Sequence, residues 1–321
     1  MSITVNIAQA EKYNPGESYY NLDCKLWEHV LARADELHKA AKEARDSIRT
    51  CRELEEYAES KRSLFIKSLG GIPYDNTLPL EDKVMGFVDV PGMRIEKIIF
   101  KSRPHVYVTA NLYLPHKRKN PCGAVLFQLG HAADGKAYEQ YQRVARSIAS
   151  AGLIVMTMDP IGQGERLSYY EPSLGQFIIG PTTQEHQYAG NQCLLAGDNI
   201  ARYFVADAMR AIDYLISRPE VDPAKIGATG SSGGGTATSM MMICDNRIAA
   251  AAPGTFVTNY EEYIRTGNPQ DAEQIWANSA SDGINHNEIL LCFAPKPVML
   301  LTADTDFFTI EGTRDVFNNS M

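Results

Sequence analysis

Short apolar segments alternate with longer helical segments over the second half of this chain. The apolar segments cover residues 124–129, 153–158, 226–229, 248–252 and 298–303, and the helical segments cover about 138–151, 199–217 and 234–244. This alternation is typical of a mostly parallel, doubly wound α/β sheet with helices on both faces. Ligands of such sheets bind beyond the carboxyl ends of the strands, so we expect the loops that follow these strands to form one site.

The preceding part of the chain has a different organisation. A charge-rich helical pattern covers about residues 21–68, and glycines and a proline between 70 and 80 end it. Two β-rich runs, 95–100 and 106–114, then flank a Ser-Arg-Pro turn and predict an antiparallel pair at a sheet edge. We therefore divide the chain into an N-terminal helical arm, 1–80, and an α/β domain, 81–321.

Composition argues against several classes of protein. The 321 residues are 44% hydrophobic and 22% charged, as in folded globular proteins. The formal net charge of −8 would repel a phosphate backbone, so we expect no nucleic-acid partner. No apolar run approaches the roughly 18 residues of a membrane span, and the first residues lack the apolar core of a signal peptide. Together with six scattered cysteines, this predicts a cytoplasmic protein without a membrane partner.

One glycine-rich motif lies between a predicted strand and a predicted helix. Around Ser232 the chain has the pattern G-x-S-x-G, which in this context is typical of a nucleophile elbow. The turn is so tight that the positions two before and two after the serine need residues with almost no side chain, and these are Gly230 and Gly234. Ser231 fits less well because Thr229 would stand two positions before it. The N–H groups at the helix start would suit an oxyanion.

A phosphate-binding loop is the competing interpretation of this turn. A dinucleotide-binding fingerprint would need a glycine where the chain has Thr238, and a Walker loop would need Gly-Lys-Ser/Thr, which the motif lacks. We therefore predict no nucleotide at this turn and no cofactor in the protein.

Four motifs, in order along the chain, carry a resemblance to a known family. They are Gly-His-Ala-Ala-Asp-Gly-Lys at 130–136, Asp-Pro-Ile-Gly-Gln-Gly-Glu-Arg at 159–166, Gly-Ser-Ser-Gly-Gly-Gly at 230–235 and Asp-Thr-Asp-Phe-Phe-Thr-Ile-Glu-Gly at 304–312. From about residue 94 onwards the chain resembles the α/β-hydrolase fold and, within it, the acetyl-xylan-esterase and dienelactone-hydrolase-like bacterial esterases. The N-terminal helical segment resembles an appended arm of such proteins.

The resemblance implies roles for individual residues. Ser232 would be the nucleophile, and the backbone N–H groups of Gly233 and His131 would bind the oxyanion. The acid that orients the catalytic base should follow the 298–303 strand, where Asp304 and Asp306 compete and Asp306 aligns better. The competing interpretation, for whichever aspartate is not catalytic, is a helix N-cap.

The base itself is missing from its expected place. In this fold a histidine follows the acid after one further strand, yet the seven histidines all precede Asp306. The first explanation is that the chain lacks the last strand and helix of the fold, so that the domain is C-terminally incomplete. The second is another base, for which His131, His186 and His286 are the candidates. The third is a protein that has kept the fold but lost catalysis.

We interpret the chain as a serine-dependent carboxylic-ester hydrolase, with a small-molecule or carbohydrate acyl ester as substrate. The alternatives are a peptidase or amidase on the same fold, and a non-catalytic binding or assembly module that forms homo-oligomers through the N-terminal helices. Adjacent carboxylates such as Glu261 and Glu262 do not make a metal site without a histidine cluster, so we predict no metal. Arg166 is expected to brace its loop through carbonyls or Asp159.

Overall fold

The structure is a computed structural model and describes residues 25–320 of the chain. Within these residues, seven strands form one mixed sheet and two short strands form a separate hairpin. The strands are β1 (Lys83–Val90), β2 (Met93–Arg103), β3 (Val106–Pro115), β4 (Cys122–Gln128), β5 (Ile154–Met158), β6 (Tyr170–Glu171), β7 (Gln176–Phe177), β8 (Val221–Ser231) and β9 (Ile248–Gly254).

The order of the strands in the large sheet is β1-β2-β3-β5-β4-β8-β9. The first three strands pair antiparallel, and β3 also pairs antiparallel with β5. From β5 onwards every neighbouring pair, through β4 and β8 to β9, is parallel. The predicted α/β fold with an antiparallel pair at one edge is therefore confirmed.

Nine α-helices lie within the described residues. They are α1 (Lys25–Asp46), α2 (Cys51–Ser68), α3 (Glu139–Ser150), α4 (Thr183–Leu195), α5 (Ala201–Ser217), α6 (Gly233–Cys244), α7 (Tyr260–Arg265), α8 (His286–Phe293) and α9 (Ile310–Asn318). A capping box begins α2, because the Thr50 hydroxyl accepts from the Glu53 N–H while the Glu53 carboxylate accepts from the Thr50 N–H. None of these helices is long and apolar enough to span a membrane.

Two hydrophobic cores lie on opposite faces of the sheet. Along β4 the side chains alternate between them, since Leu126 belongs to the larger core and Phe127 to the smaller. Helices α5 and α6 cover the larger core, and α3 covers the smaller through Ala145 and Ala149. This arrangement leaves the carboxyl ends of β4, β5, β8 and β9 uncovered by the main helices, so their loops can form a site.

Two segments differ from the prediction. The predicted strand at 298–303 forms only two isolated parallel bridges with β9, at Val298 and Leu301. Its other edge has no neighbouring strand among the described residues, and Met299 there is exposed. The sequence also did not reveal β1, because most of its side chains are exposed and no apolar alternation marks an edge strand that is solvated on both faces.

The segments 167–198 and 255–293, for which the sequence predicts no strand or helix, contain much regular structure. The first holds the β6–β7 hairpin and α4, and the second holds α7 and α8. Short helices of this kind have little amphipathic signal of their own; α4 has apolar and polar residues on all sides.

The predicted N-terminal helical arm is confirmed and consists of two helices, α1 and α2. Residues 21–24 of the predicted helical pattern lie outside the residues that the structure describes. Phe65 and Leu69 are fully buried in the larger core of the α/β domain. The Arg45 guanidinium donates to the Glu288 carboxylate at 2.9 Å, and the Tyr57 hydroxyl donates to the same oxygen at 2.7 Å. The arm is thus docked on α8 through buried polar and apolar contacts, whereas Trp27 at its start is partly exposed. Self-association of the protein through α1 and α2 stays a prediction.

Replacing Phe65 with leucine should lower the free energy of unfolding by about 1–2 kcal/mol. The Phe65 ring packs edge-to-face on Trp276 with 4.8 Å between centroids, and leucine would lose this contact and part of the buried volume. Urea unfolding measures the effect. Phe317→Leu is the matched control, because Phe317 lies exposed on α9 and its replacement should change stability by less than about 0.5 kcal/mol. Equal effects of the two substitutions would contradict the docking of the arm.

Candidate active site

Ser232 lies at the turn from β8 into α6 with φ 59° and ψ −123°. A positive φ is unusual for a residue with a side chain and marks local backbone strain. The turn is held by the Ser232 N–H, which donates to the Gly254 carbonyl at 3.0 Å and to the Thr255 hydroxyl at 2.8 Å. The geometry agrees with the strained strand-to-helix turn that the sequence predicts.

The glycines two positions away are required by close backbone contacts. A Cβ atom built on Gly230 would lie 2.5 Å from the Gln128 carbonyl oxygen, and one on Gly234 would lie 2.8 Å from the Gln128 carbonyl carbon. Neither position tolerates a side chain without movement of the backbone of β4. Ser231 is exposed but has an ordinary φ, and its hydroxyl hydrogen-bonds the Thr255 hydroxyl at 2.8 Å, whereas Ser232 is half-buried and holds the strained position of the turn.

A cavity of about 710 Å³ opens beside Ser232. Its lining comes from the loops after β4, β8 and β9, from α4 and from the segments 269–274 and 306–308. The lining residues are His131, Thr183, Gln187, Ser232, Thr255, Pro269, Gln270, Asp271, Gln274, Asp306, Phe307 and Phe308. This size is ordinary for a small-molecule site. Trp276 is not part of this lining, because its ring is buried against Phe65.

The structure distinguishes the two candidate acids. The Asp304 side chain is 93% exposed, and its carboxylate lies 4.0 Å from the Arg314 guanidinium. The helix N-cap expected of it is wrong, because Thr309 caps α9. Asp306 instead lines the cavity with Ser232, and its Oδ1 accepts from the Phe307 N–H at 2.6 Å. Its Oδ2 is buried without a hydrogen-bond partner within residues 25–320. Asp306 is therefore the candidate that a base in the cavity could reach.

Two of the three candidate histidines are committed elsewhere. His286 begins α8 rather than lying in a loop, it is buried among aromatic rings, and its Nδ1 accepts from the Thr258 N–H. Burial lowers the pKa of His286 to about 3, so it stays neutral. His186 is buried in α4, where its ring nitrogens contact the Ile161 carbonyl and Asp271. Of the three, His131 alone lines the cavity with Ser232.

The side chains of His131 and His186 lie close to two carboxylates beneath the turn that contains Ser232. This group of four, called here the His-carboxylate cluster, has ligand atoms that all lie within 4.8 Å of one another: His131, His186, Asp271 and Glu273. A Cβ atom on Gly233 would lie 2.8 Å from Glu273 Oε1 and 2.9 Å from His131 Nε2, so the cluster packs directly against the start of α6.

The two carboxylates of the cluster shift the pKa values of its histidines upwards. Burial alone would lower the pKa of His186, but the hydrogen bond to Asp271 and the charges of Glu273 and Asp271 outweigh it and raise the pKa to about 9. Burial likewise opposes ionisation of His131, yet the same two carboxylates raise its pKa. For Asp271, burial would raise the pKa, and the neighbouring imidazole of His186 lowers it. The carboxylates thus stabilise positive charge in this part of the site.

A second polar network fixes the loops around the site. Asp159 is fully buried and accepts from the Lys136 N–H at 2.7 Å and from the Thr109 hydroxyl at 2.7 Å. It thereby ties the 130–136 motif to the 159–166 motif. Arg166 donates to the Asp159 carbonyl at 3.0 Å and to Asp207 Oδ2 at 2.7 Å, which confirms the predicted bracing role.

Asp271 and Glu273 are site residues that no sequence motif predicted. They lie in the run Pro-Gln-Asp-Ala-Glu-Gln at 269–274, where Asp271 also caps a short 3₁₀ turn by accepting from the Glu273 N–H. The available signal was two acidic residues in a long connection that runs close to the predicted site. Their meeting with His131 and His186 depends on chain segments about 85 to 140 residues apart, which no local pattern reveals.

Comparisons with known proteins agree with this architecture. The model of the family described as "Acetyl xylan esterase (AXE1)" matches residues 81–276, more than half of the chain. Among curated relatives, the chain is 24% identical over 263 residues to "Putative hydrolase YtaP" of Bacillus subtilis, covering 78% of this chain and 82% of that protein.

Solved structures are similar at low sequence identity. One is a structure described as "a putative acetyl xylan esterase" from Bacteroides fragilis, with TM-score 0.66, 16% identity, and 82% of this chain and 73% of that chain covered. Acetyl xylan esterase 1 from Thermoanaerobacterium gives a TM-score of 0.58 at 15% identity, covering 85% and 89%. At these identities the likeness shows a shared α/β-hydrolase fold.

Proposed function

Since this chain belongs to the acetyl xylan esterase family, we propose that it hydrolyses carbohydrate acyl esters through an acyl-enzyme on Ser232. The observation that carries the proposal is the strained backbone of Ser232 at the mouth of the cavity, at the N-terminus of α6. Strain of this kind costs about 1–3 kcal/mol and is retained chiefly at functional sites.

The proposed reaction starts with attack of the Ser232 hydroxyl oxygen on the ester carbonyl. The Gly233 N–H at the start of α6 and the His131 N–H in the loop after β4 stabilise the oxyanion, helped by the positive end of the helix dipole. The C–O bond to the alcohol then breaks, and the alcohol leaves with the proton that Ser232 gave up. Water hydrolyses the acyl-enzyme and restores the serine.

Asp306 is proposed as the acid of the catalytic group. Its position in the same cavity and the unpartnered Oδ2 support this role, because a carboxylate there can orient an imidazole and stabilise its cation. No histidine of residues 25–320 donates to this oxygen, so the proposal assigns nucleophile, oxyanion donors and acid, and leaves the base unassigned.

The walls of the cavity support a sugar ester as substrate. The side chains of Gln187 and Gln270 offer amide groups that suit hydroxyls, and Phe307 offers a partly exposed ring at the mouth on which a sugar ring can stack. The apolar surface of Phe308 next to Asp306 suits a small acyl group.

A fluorophosphonate probe tests the nucleophile directly. We expect a single covalent adduct by intact-mass spectrometry, lost in Ser232→Ala and retained in Ser231→Ala. The two serines are adjacent, so this pair separates nucleophilic attack from general damage to the turn. Hydrolysis of 4-nitrophenyl acetate, an acetylated xylo-oligosaccharide and a peptide anilide then distinguishes esterase from amidase activity.

The opposite results are equally clear. A folded wild-type protein that forms no adduct, or an adduct that survives in Ser232→Ala, would overturn the assignment of Ser232. Labelling with cleavage of the anilide but not of the esters would favour the peptidase or amidase. Oligomers by light scattering without any labelling would favour a binding module.

A further inference from the structure

The His-carboxylate cluster contains three buried atoms whose hydrogen-bonding capacity is unused within residues 25–320. They are His131 Nε2, Asp271 Oδ2 and Glu273 Oε1. The side chains of Asp271 and Glu273 are 5% and 2% exposed, so water does not reach them freely. A buried carboxylate oxygen without a partner is costly, and three such atoms facing one another need a common explanation.

The distances between these atoms do not suit direct hydrogen bonds. His131 Nε2 lies 3.4 Å from Glu273 Oε1 and 3.6 Å from Asp271 Oδ2, whereas N–H···O bonds measure about 2.7–3.2 Å. Ligands around a tetrahedral Zn²⁺ with bonds of about 2.1 Å stand about 3.4 Å from one another. These two distances therefore match the edges of a coordination tetrahedron, and the four ligand atoms of the cluster lie within 4.8 Å of one another.

The surroundings of His186 match those of a metal ligand. Its Nε2 lies 2.8 Å from the Ile161 carbonyl, which can only accept, so this nitrogen carries the hydrogen. Nδ1 therefore faces Asp271 Oδ1 at 3.1 Å, on the side of the cluster. An imidazole that gives one N–H to a backbone carbonyl while the other nitrogen faces carboxylates is the usual arrangement around a bound metal.

We propose that the His-carboxylate cluster binds one divalent transition-metal ion, with Zn²⁺ the best match to two imidazoles and two carboxylates: His131, His186, Asp271 and Glu273. Binding displaces the protons that the imidazoles otherwise hold. Four protein ligands leave no open position, so the ion has a structural role. It joins the loop after β4, helix α4 and the 269–274 segment beneath Gly233, and so holds the His131 backbone beside Ser232.

Metal binding by the full-length chain tests this proposal. The protein is stripped with EDTA, then titrated with ZnCl₂ by calorimetry, and desalted for elemental analysis. We expect one zinc ion per chain and a higher melting temperature, and CoCl₂ should give the intense visible absorption of tetrahedral Co²⁺. His131→Gln and Glu273→Gln should each weaken zinc binding at least about 100-fold, while His116→Gln and Glu139→Gln, which alter exposed residues elsewhere, should not.

The readouts need no substrate, so they succeed or fail independently of the Ser232 reaction. A folded wild-type protein that binds neither Zn²⁺ nor Co²⁺ at micromolar concentration would overturn the metal site. Protonated imidazoles would then be what neutralises the two carboxylates of the cluster. Binding that survives in both ligand variants would place the ion elsewhere. The partly exposed His131 makes its variant the one best suited to fold normally, and circular dichroism checks this.

Discussion

Gly234→Ala should destabilise the protein by about 3 kcal/mol or more. The added methyl would collide with the Gln128 carbonyl group and lie 3.1 Å from the Leu129 carbonyl carbon, both backbone atoms of β4 and its loop. These atoms are held in the parallel ladder with β8 and have little room to move. Alanine otherwise favours a helix by about 1 kcal/mol over glycine, so any loss reports the contact and not helix propensity.

Urea unfolding of Gly234→Ala beside Gly227→Ala measures this effect. Gly227 lies in β8 a few residues earlier, where a Cβ would be 3.5 Å from its nearest neighbour, the Ala250 carbonyl oxygen. That substitution should change the free energy of unfolding by less than about 1 kcal/mol. A Gly234→Ala protein as stable as the control would contradict the close approach of α6 to β4.

Asp207→Asn should cost about 3–5 kcal/mol at pH 7. Asp207 is fully buried in α5 and accepts from the guanidiniums of Arg103 and Arg166 at 2.7 Å each. The Ser102 hydroxyl donates to the same carboxylate. An asparagine has one acceptor oxygen, and its amide N–H₂ would face a guanidinium, which leaves buried positive charge without a counter-ion. Glu139→Gln on the exposed surface of α3 is the control, with an expected change below about 0.5 kcal/mol.

The difference between wild type and Asp207→Asn should depend on pH with a definite sign. Burial alone would raise the pKa of Asp207, but Arg166 and Arg103 lower it below the ordinary value. A group with a lowered folded-state pKa stabilises the fold fully above its unfolded pKa of about 4 and loses that contribution as pH falls. The difference in the free energy of unfolding between wild type and Asp207→Asn should therefore narrow by about 1.4 kcal/mol per pH unit below about pH 4. A gap that stays constant from pH 7 to pH 2.5 would contradict an ionised Asp207.

Local patterns predicted most of the secondary structure. The strand β5 and the helix α5 were found within two residues of their ends, because buried strands and amphipathic helices have strong periodic signals. The helix α4 and the edge strand β1 were missed, since the first lacks an apolar face and the second is solvated on both faces.

The elbow around Ser232 was also predictable, because a tight strand-to-helix turn imposes its glycines at fixed offsets. The sequence left Asp304 and Asp306 as competing candidates for the acid, and the structure adds that Asp304 is exposed whereas Asp306 lines the cavity. The sequence left His186 and His286 open as candidates for the base, and only their burial in helices shows that they are committed to other contacts.

The sequence by itself determined the α/β alternation, the position of the strand-to-helix turn at Ser232 and the family resemblance, because each of these depends on residues close together along the chain. The tertiary structure decided the docking of the arm and the meeting of His131 with Glu273, which the chain brings together across 142 residues. Contacts of this kind depend on how several elements pack at once, since their energy comes from burial and charge in three dimensions and leaves no local pattern.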